Sequence, residues 1–354
     1  MGQYAAVLCK ECVEFMLLNF LRDDFVTDEL AQPDTNQKTA ELILPDGFVR
    51  GAYQAGVLKV LVPHLLKEGI AITHISARSI GSLNAVILAG LLNSNQSEKI
   101  PEILGNVWQD LGKIGDTPLI PLRSLHKVTD LVKTFNHHST SSWFFPHMPG
   151  LAQLYFLGIT KKYNPLNKLA EILDRHVTKE MWDAIRHGEI DTSLRVSKLN
   201  VGLTKAQGQE VFEPVDVSGS RMNKDAVLSS CAAKVFGPHN GFWDGTYTRK
   251  SLYPAKARTD IIISIPCIPD NEVLTKREMQ AEGDRKRLSS EENCTVFRLD
   301  PPSNYSKSSS YNFTSRHIQY LDAKGQEKGQ SLIENEGAAL VSLPCRVYPI
   351  QALG

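Results

Sequence analysis

From residue 39 onward, short apolar runs alternate with longer apolar stretches of helical length. The first run, "AELILP", has strand length and ends at Pro45. A tight segment, "DGFVRG", follows, and then "AYQAGVLKVLVPHLL", apolar nearly all round and therefore a buried helix that Pro63 is expected to kink or split. After Gly69, "IAITHISA" is a continuous apolar run of strand length, and a turn at Ser79 leads into "SLNAVILAGLL", a second largely buried helix. Strand, helix, strand and helix joined by short connections predict a parallel sheet covered on both faces. Functional loops in such sheets sit at the carboxyl ends of strands. Both "DGFVRG" and Ser79 fall there, at the ends of successive strands, and are expected to be neighbours in space.

Residues 95 to about 165 are less regular and mostly helical, with the aromatic cluster "SSWFFPHMPG" near the middle. This reads as a helical insertion. Trp143, Phe144 and Phe145 suit packing under a loop better than a lid or a membrane-touching loop. Beyond it, "NPLNKLAEILDRHV" reads as a helix, and "LRVSKLNVGLT" and "QEVFEPV" as strands around a glycine turn. "DAVLSSCAA" reads as a short helix and "GFWDGTYTRKSLYPA" as a strand-to-loop transition. "DIIISIP" and "CTVFRLDPP" are further strands, "SNYSKSSSYN" a surface loop, and "SRHIQYLDAKGQEKGQSLIE" a terminal helix. Residues 1–38 form an amphipathic helix and a polar, acidic linker, and residues 39–354 a single domain carrying the insertion.

Composition narrows the function classes. Lys+Arg and Asp+Glu both total 39, so no global field draws the chain to nucleic acid or to an anionic membrane. Six cysteines in 354 residues are too sparse for a disulfide framework, and Cys9-Lys10-Glu11-Cys12 has no second pair or nearby His to complete a zinc site. The apolar run "CVEFMLLNFL" carries Glu14 and Asn19, is too short to span a bilayer and lacks the features of a secretory signal. The sequence therefore reads as a soluble chain of a reducing cytoplasm, with membrane contact, if any, peripheral. No metal site and no cofactor are expected, since "DGFVRG" is not a dinucleotide-binding glycine loop.

The chemistry centres on "HISARSIGSLNAV". A run ending in a small residue, then Ser and x-Gly, is how a strand turns sharply into a helix with the serine hydroxyl pushed outward. An N-cap serine fits the same stretch equally well. Ser79, Asp244 and His317 also occur in the chain order of an α/β-hydrolase triad. That fold normally lays down several strands before its nucleophile, however, and His317 lies within a helical pattern.

Several blocks in order resemble the patatin-like phospholipase family over roughly residues 40–335. "LPDGFVRGAYQAGVLKVL" resembles its glycine-rich loop and "HISARSIGSLNA" its nucleophile elbow. "LSSCAAKVFGP" and "FWDGTYTRKSLYPA" resemble the segment around its catalytic aspartate, and "NFTSRHIQYLDAKGQ" its terminal helix. The resemblance implies a patatin-like α/β/α sandwich with a central, mostly parallel sheet. It implies a serine acyl hydrolase using a dyad, with Ser79 as nucleophile and Asp244 as base. Backbone amides of Gly47, Phe48, Val49, Arg50 and Gly51, together with Ile80, would hold the oxyanion, and the substrate would be a lipid ester.

The sequence departs from the family pattern at three places. Phe48 occupies a glycine position of the loop, beside Asp46, whose carboxylate is expected to disfavour an oxyanion there. Ala77 replaces the first glycine of the elbow. Thr246 follows Asp244-Gly245 where a second glycine is usual. An altered loop beside an intact dyad leaves a second function open, a weak or inactive scaffold that binds lipid or a protein partner.

Overall fold

The computed structural model describes residues 37–116, 165–200, 211–233, 237–248, 250–267, 276–290, 294–302 and 312–342. The N-terminal extension to residue 36, the Cys9/Cys12 pair and the aromatic cluster at 141–150 lie outside the described residues. So does the "SNYSKSSSYN" loop up to residue 311.

The strands are β1 (Thr39–Leu44), β2 (Ala71–Arg78), β3 (Asp191–Leu199), β4 (Phe212–Ser218), β5 (Phe242–Asp244), β6 (Ile261–Ser264) and β7 (Thr295–Arg298). They form one sheet in the order β4-β3-β2-β1-β6-β7, with β5 paired to β3. β1, β2, β3, β6 and β7 run parallel; β4 and β5 are antiparallel to β3. The helices of the first half are α1 (Gly51–Lys67), α2 (Gly81–Asn93) and α3 (Ile100–Asp116). Those of the second half are α4 (Pro165–His176), α5 (Lys179–His187), α6 (Lys224–Ser230), α7 (Lys276–Ser289) and α8 (Ser315–Ser342). The fold is α/β with a mostly parallel sheet flanked by helices.

Period-two alternation along β1 and β2 divides the sheet into two unlike faces. Ala40, Leu42, Leu44, Ile75 and Ala77 join the main core with α1, α2 and α3. Glu41, His74, Ser76 and Arg78 alternate onto the other face, where Ile43 joins a small second cluster with Leu252, Ile262, Leu288 and Cys294. That face is apolar only toward β6 and β7. Toward β2 and β3 it is polar: buried Glu41 accepts from Arg258 Nη2 at 2.9 Å and from Ser76 Oγ at 3.0 Å.

Of the expected kink or split at Pro63, the split does not occur: α1 runs unbroken through the proline. Leu58, Leu61, Val62 and Leu65 are buried on both sides of the proline, and this burial outweighs one missing hydrogen bond. α3, from the first part of the region read as an insertion, places Leu104, Val107 and Trp108 in the main core. The patterning did not signal α5 and α7. α7 is almost wholly polar in sequence, "KREMQAEGDRKRLS", and shows no apolar stripe to mark it.

Candidate active site

β2 and β5 meet head to head. Val196, Ser197 and Lys198 of β3 pair with β4 on one edge and with β5 on the other. β2 occupies that second edge up to Arg78, opposite Arg195. β5 therefore runs toward β2 along the same edge and ends at Asp244, opposite Val196. The chain segments after Arg78 and at Asp244 are forced together, although 165 residues separate Ser79 from Asp244. Gly245 lets this happen, since a Cβ there would stand 2.2 Å from the Arg195 carbonyl oxygen.

At the meeting point, Ser79 Oγ donates to Asp244 Oδ2 at 2.7 Å. Ser79 has φ 52°, the left-handed region that costs a non-glycine residue about 1–2 kcal/mol. Its hydroxyl is not a helix cap: Ile80 is the N-cap of α2 and provides no side-chain cap. The next residue must be glycine, because a Cβ at Gly81 would lie 2.1 Å from the Leu44 carbonyl oxygen. The turn is held from within by Ser230. Its Oγ accepts from Ser79 N and Ser82 Oγ, both at 2.8 Å, and donates to the Arg195 carbonyl at 2.7 Å.

Asp244 is 2% exposed and Ser79 5%. Burial raises the Asp244 carboxyl from the ordinary 3.8 to about 6, against the opposing bonds from Thr246 and Ser79, with the nearby Asp46 charge adding to the rise. Thr246 holds the other carboxylate oxygen, Oδ1, from its backbone N at 2.8 Å and its Oγ1 at 2.5 Å. The threonine at this family glycine position is thus a carboxylate clamp. The arrangement gives Oδ2 one partner, the Ser79 hydroxyl, and aims it as a proton acceptor. Direct contact at 2.7 Å leaves no room between the two for an imidazole. His317, on α8, stacks on Tyr320 instead.

The glycine-rich segment is the β1-to-α1 turn. Phe48–Arg50 form a single 3-10 turn, and Phe48 has φ 51°. The position demands the left-handed conformation that the family pattern fills with glycine. Gly47 sits where a Cβ would lie 2.1 Å from the Cys267 Cβ, and one at Gly51 would lie 2.7 Å from the Trp108 ring and 3.0 Å from Ile80 Cγ2. The loop thus abuts the elbow at Ile80. Val49 and Arg50 are buried, and Arg50 Nη1 donates to the Cys267 carbonyl at 2.9 Å, tying the loop to the segment after β6. Asp46 lies against an arginine, accepting from Arg78 Nε at 2.6 Å.

Neither helix start at this edge carries a side-chain cap: Ile80 gives none to α2, and neither Gly47 nor Arg50 gives one at the 3-10 turn and α1. α5 and α6, elsewhere, are capped by Thr178 and Asn223. Uncapped helix starts leave backbone N–H groups with no acceptor inside the helix. Sequence reasoning marked the dyad and the loop. It missed Ser230, Thr246 and Arg78 as supports. Each lies one or two residues from a quoted motif residue or within a quoted block, but no spacing rule distinguishes them from ordinary polar residues.

The family model for patatin-like phospholipase matches residues 47–255, which contain the loop, the elbow, Ser230 and the Asp244 block. The chain belongs to the patatin-like phospholipases. No curated protein sequence matches it significantly. Among solved structures, VipD from Legionella pneumophila is similar at 13% identity and a TM-score of 0.37, covering 84% of this chain and 67% of that one. The type III effector protein ExoU is similar at 15% identity and a TM-score of 0.34, covering 84% of this chain. A complex of ExoU with SpcU from Pseudomonas aeruginosa matches at 14% identity and a TM-score of 0.33. The chain spans about half the length of the ExoU chains, 53% and 52%. At these scores the likenesses add nothing to the family match, on which the assignment rests.

Proposed function

We propose that this patatin-like protein hydrolyses fatty-acyl esters of phospholipids, lysophospholipids or neutral lipids through an acyl-enzyme on Ser79. The observation that carries the reading is the 2.7 Å bond from the Ser79 hydroxyl, on a left-handed strand-to-helix turn, to a buried carboxylate. Ser79 Oγ attacks the acyl carbon while its proton passes to Asp244 Oδ2. The carbonyl oxygen becomes an oxyanion, and amides of Gly47, Phe48, Val49 and Ile80 are the donors for it. Those expected from Arg50 and Gly51 are instead spent on the carbonyls of Gly47 and of Phe48 and Val49 within the 3-10 turn. The leaving alcohol takes the proton from Asp244. Water then attacks the acyl-Ser79 ester, giving its proton to Asp244, which returns it to the departing Ser79 Oγ as the fatty acid is released. A carboxyl held near 6 accepts a proton at neutral pH more readily than an ordinary aspartate. The chain meets its lipid in the cytoplasm, at a membrane surface.

A second reading, an inert scaffold that binds lipid or a protein partner, is favoured by one observation. Phe48 places an aromatic side chain where the family pattern has glycine. A fluorophosphonate probe separates the two, with the adduct located by peptide mass spectrometry. Labelling at Ser79 that vanishes in Ser79→Ala and Asp244→Ala is expected. A folded protein that stays unlabelled overturns the hydrolase and leaves the scaffold.

A further inference from the structure

Arg78, the residue between Ala77 and the nucleophile, reaches from the elbow to the glycine-rich loop and to the Asp244 block. It precedes Ser79 at the end of β2. Its Nε donates to Asp46 Oδ1 at 2.6 Å, reaching the start of the glycine-rich loop. Its Nη1 reaches the Lys250 carbonyl at 3.3 Å, six residues after Asp244. Its Cβ lies 3.0 Å from where a side chain on Gly245 would begin. The pair is enclosed: side-chain exposure is 6% for Arg78 and 13% for Asp46. A buried ion pair is weak evidence for stability, and in some proteins such pairs fix geometry instead.

Geometry is what this loop requires. Its two ends are pinned by buried amides, Gln54 Nε2 donating to the Pro45 carbonyl at 2.7 Å and Asn84 Nδ2 to the Gly51 carbonyl at 2.9 Å. Between them stands Phe48 at φ 51°, a conformation that glycine adopts freely and phenylalanine resists. A strained residue persists only where its surroundings over-determine it. The carboxylate two positions before Phe48, fixed to the residue one position before Ser79, is such a constraint.

We propose that Arg78 is a positioning residue: through Asp46 it latches the glycine-rich loop to the nucleophile elbow, holding Phe48 in the left-handed conformation that the family pattern assigns to glycine. The inference rests on the reading of Ser79 as nucleophile. It makes a specific claim about epistasis. The latch is needed because residue 48 carries a side chain, so glycine at 48 should make the latch dispensable.

The test is a double-mutant cycle on Asp46→Asn and Phe48→Gly, read as the rate of Ser79 labelling by a fluorophosphonate. Asp46→Asn alone should slow labelling about ten- to a hundred-fold, the scale of a small misplacement of catalytic donors. In the Phe48→Gly background the same change should cost less than about threefold, the residual coupling seen between independent sites. Asp322→Asn breaks a pair of similar length, Lys59–Asp322 at 2.7 Å between α1 and α8, and should leave labelling unchanged. An equal loss in both backgrounds, or no loss in either, overturns the latch. Hydrogen exchange supplies a readout that needs no activity. Peptides covering residues 45–51 should exchange faster in Asp46→Asn than in the parent protein, and unchanged exchange also overturns the latch. A parent protein that does not label defeats the hydrolase reading, and the exchange measurement then judges the latch alone.

Discussion

Two neighbouring strand-to-helix turns share one backbone device and differ in what holds it. Phe48, after β1, and Ser79, after β2, have φ of 51° and 52°. At Ser79 the support falls on the strained residue itself: Ser230 of α6 accepts its amide, Asp244 of β5 accepts its hydroxyl, and Gly81 lets α2 start against the end of β1. At Phe48 the support comes from the neighbouring strand, through Asp46 and Arg78. The left-handed residue of the second turn carries the reactive group. That of the first only shapes the backbone, and there a side chain is a burden rather than a tool. The comparison predicts that changes at the Ser79 turn strike chemistry directly, while changes at the Phe48 turn act through position.

Asp244→Asn should have the largest effect, and with opposite signs on rate and stability. Loss of the proton acceptor should slow labelling of Ser79 by about 10⁴-fold, the scale seen when a dyad or triad acid is made neutral. The folded-state pKa is raised, so the ionised carboxylate costs stability above about pH 6 and the cost is absent below about pH 4. A rise from 3.8 to about 6 corresponds to roughly 3 kcal/mol, so the asparagine variant should unfold later at pH 8 by on the order of that amount and show no such gain at pH 4. Urea unfolding at the two pH values checks this. Equal stability at pH 8 would mean that the carboxylate is not strained in the way burial implies.

Gly245→Ala comes next. Its Cβ would overlap the Arg195 carbonyl, so the end of β5 must move away from β3 and carry Asp244 with it. Labelling should fall by about 10²-fold, and the fold should lose about 1–3 kcal/mol. Ser230→Ala should be milder, about tenfold in labelling. It removes the acceptor for Ser79 N–H and the donor to the Arg195 carbonyl, and unmatched buried groups of this kind cost about 1–3 kcal/mol. Both variants break the supports that fall directly on Ser79. A loss from Ser230→Ala as large as that from Asp244→Asn would mean that this serine does more than hold the backbone.

The parallel core was legible because β1, β2 and β6 are apolar runs of strand length, and α1 and α2 are apolar nearly all round. The elbow was legible for a related reason. Gly81 and Gly245 are glycines because a Cβ on either would lie about 2 Å from a neighbouring carbonyl oxygen, and such residues leave motifs in sequence. The supports were not legible. Ser230, Thr246 and Arg78 act through polar contacts made across the sheet, and a serine or arginine looks the same in sequence whether it does this or faces solvent. Asp46 shows the limit most clearly. Its charge beside the oxyanion loop read as damage, and only the fold reveals that Arg78 answers it at 2.6 Å.

The smallest effect is a shift in pH dependence, and it sharpens the comparison between the two turns most finely. Labelling should rise with pH and level off above about 6, because Asp244 must be ionised to take the Ser79 proton. Asp46 is among the causes holding that carboxyl up, through its negative charge. Asp46→Asn removes that charge, which favours the ionised form of Asp244. The midpoint should therefore move to lower pH even as the plateau falls. The direction of the midpoint reports electrostatics, and the height of the plateau reports the position of the loop. A plateau that falls with an unmoved midpoint would leave Asp46 a purely mechanical part of the first turn. A midpoint that moves upward would contradict the charge argument and mean that the Asp46 carboxylate favours the ionised form of Asp244.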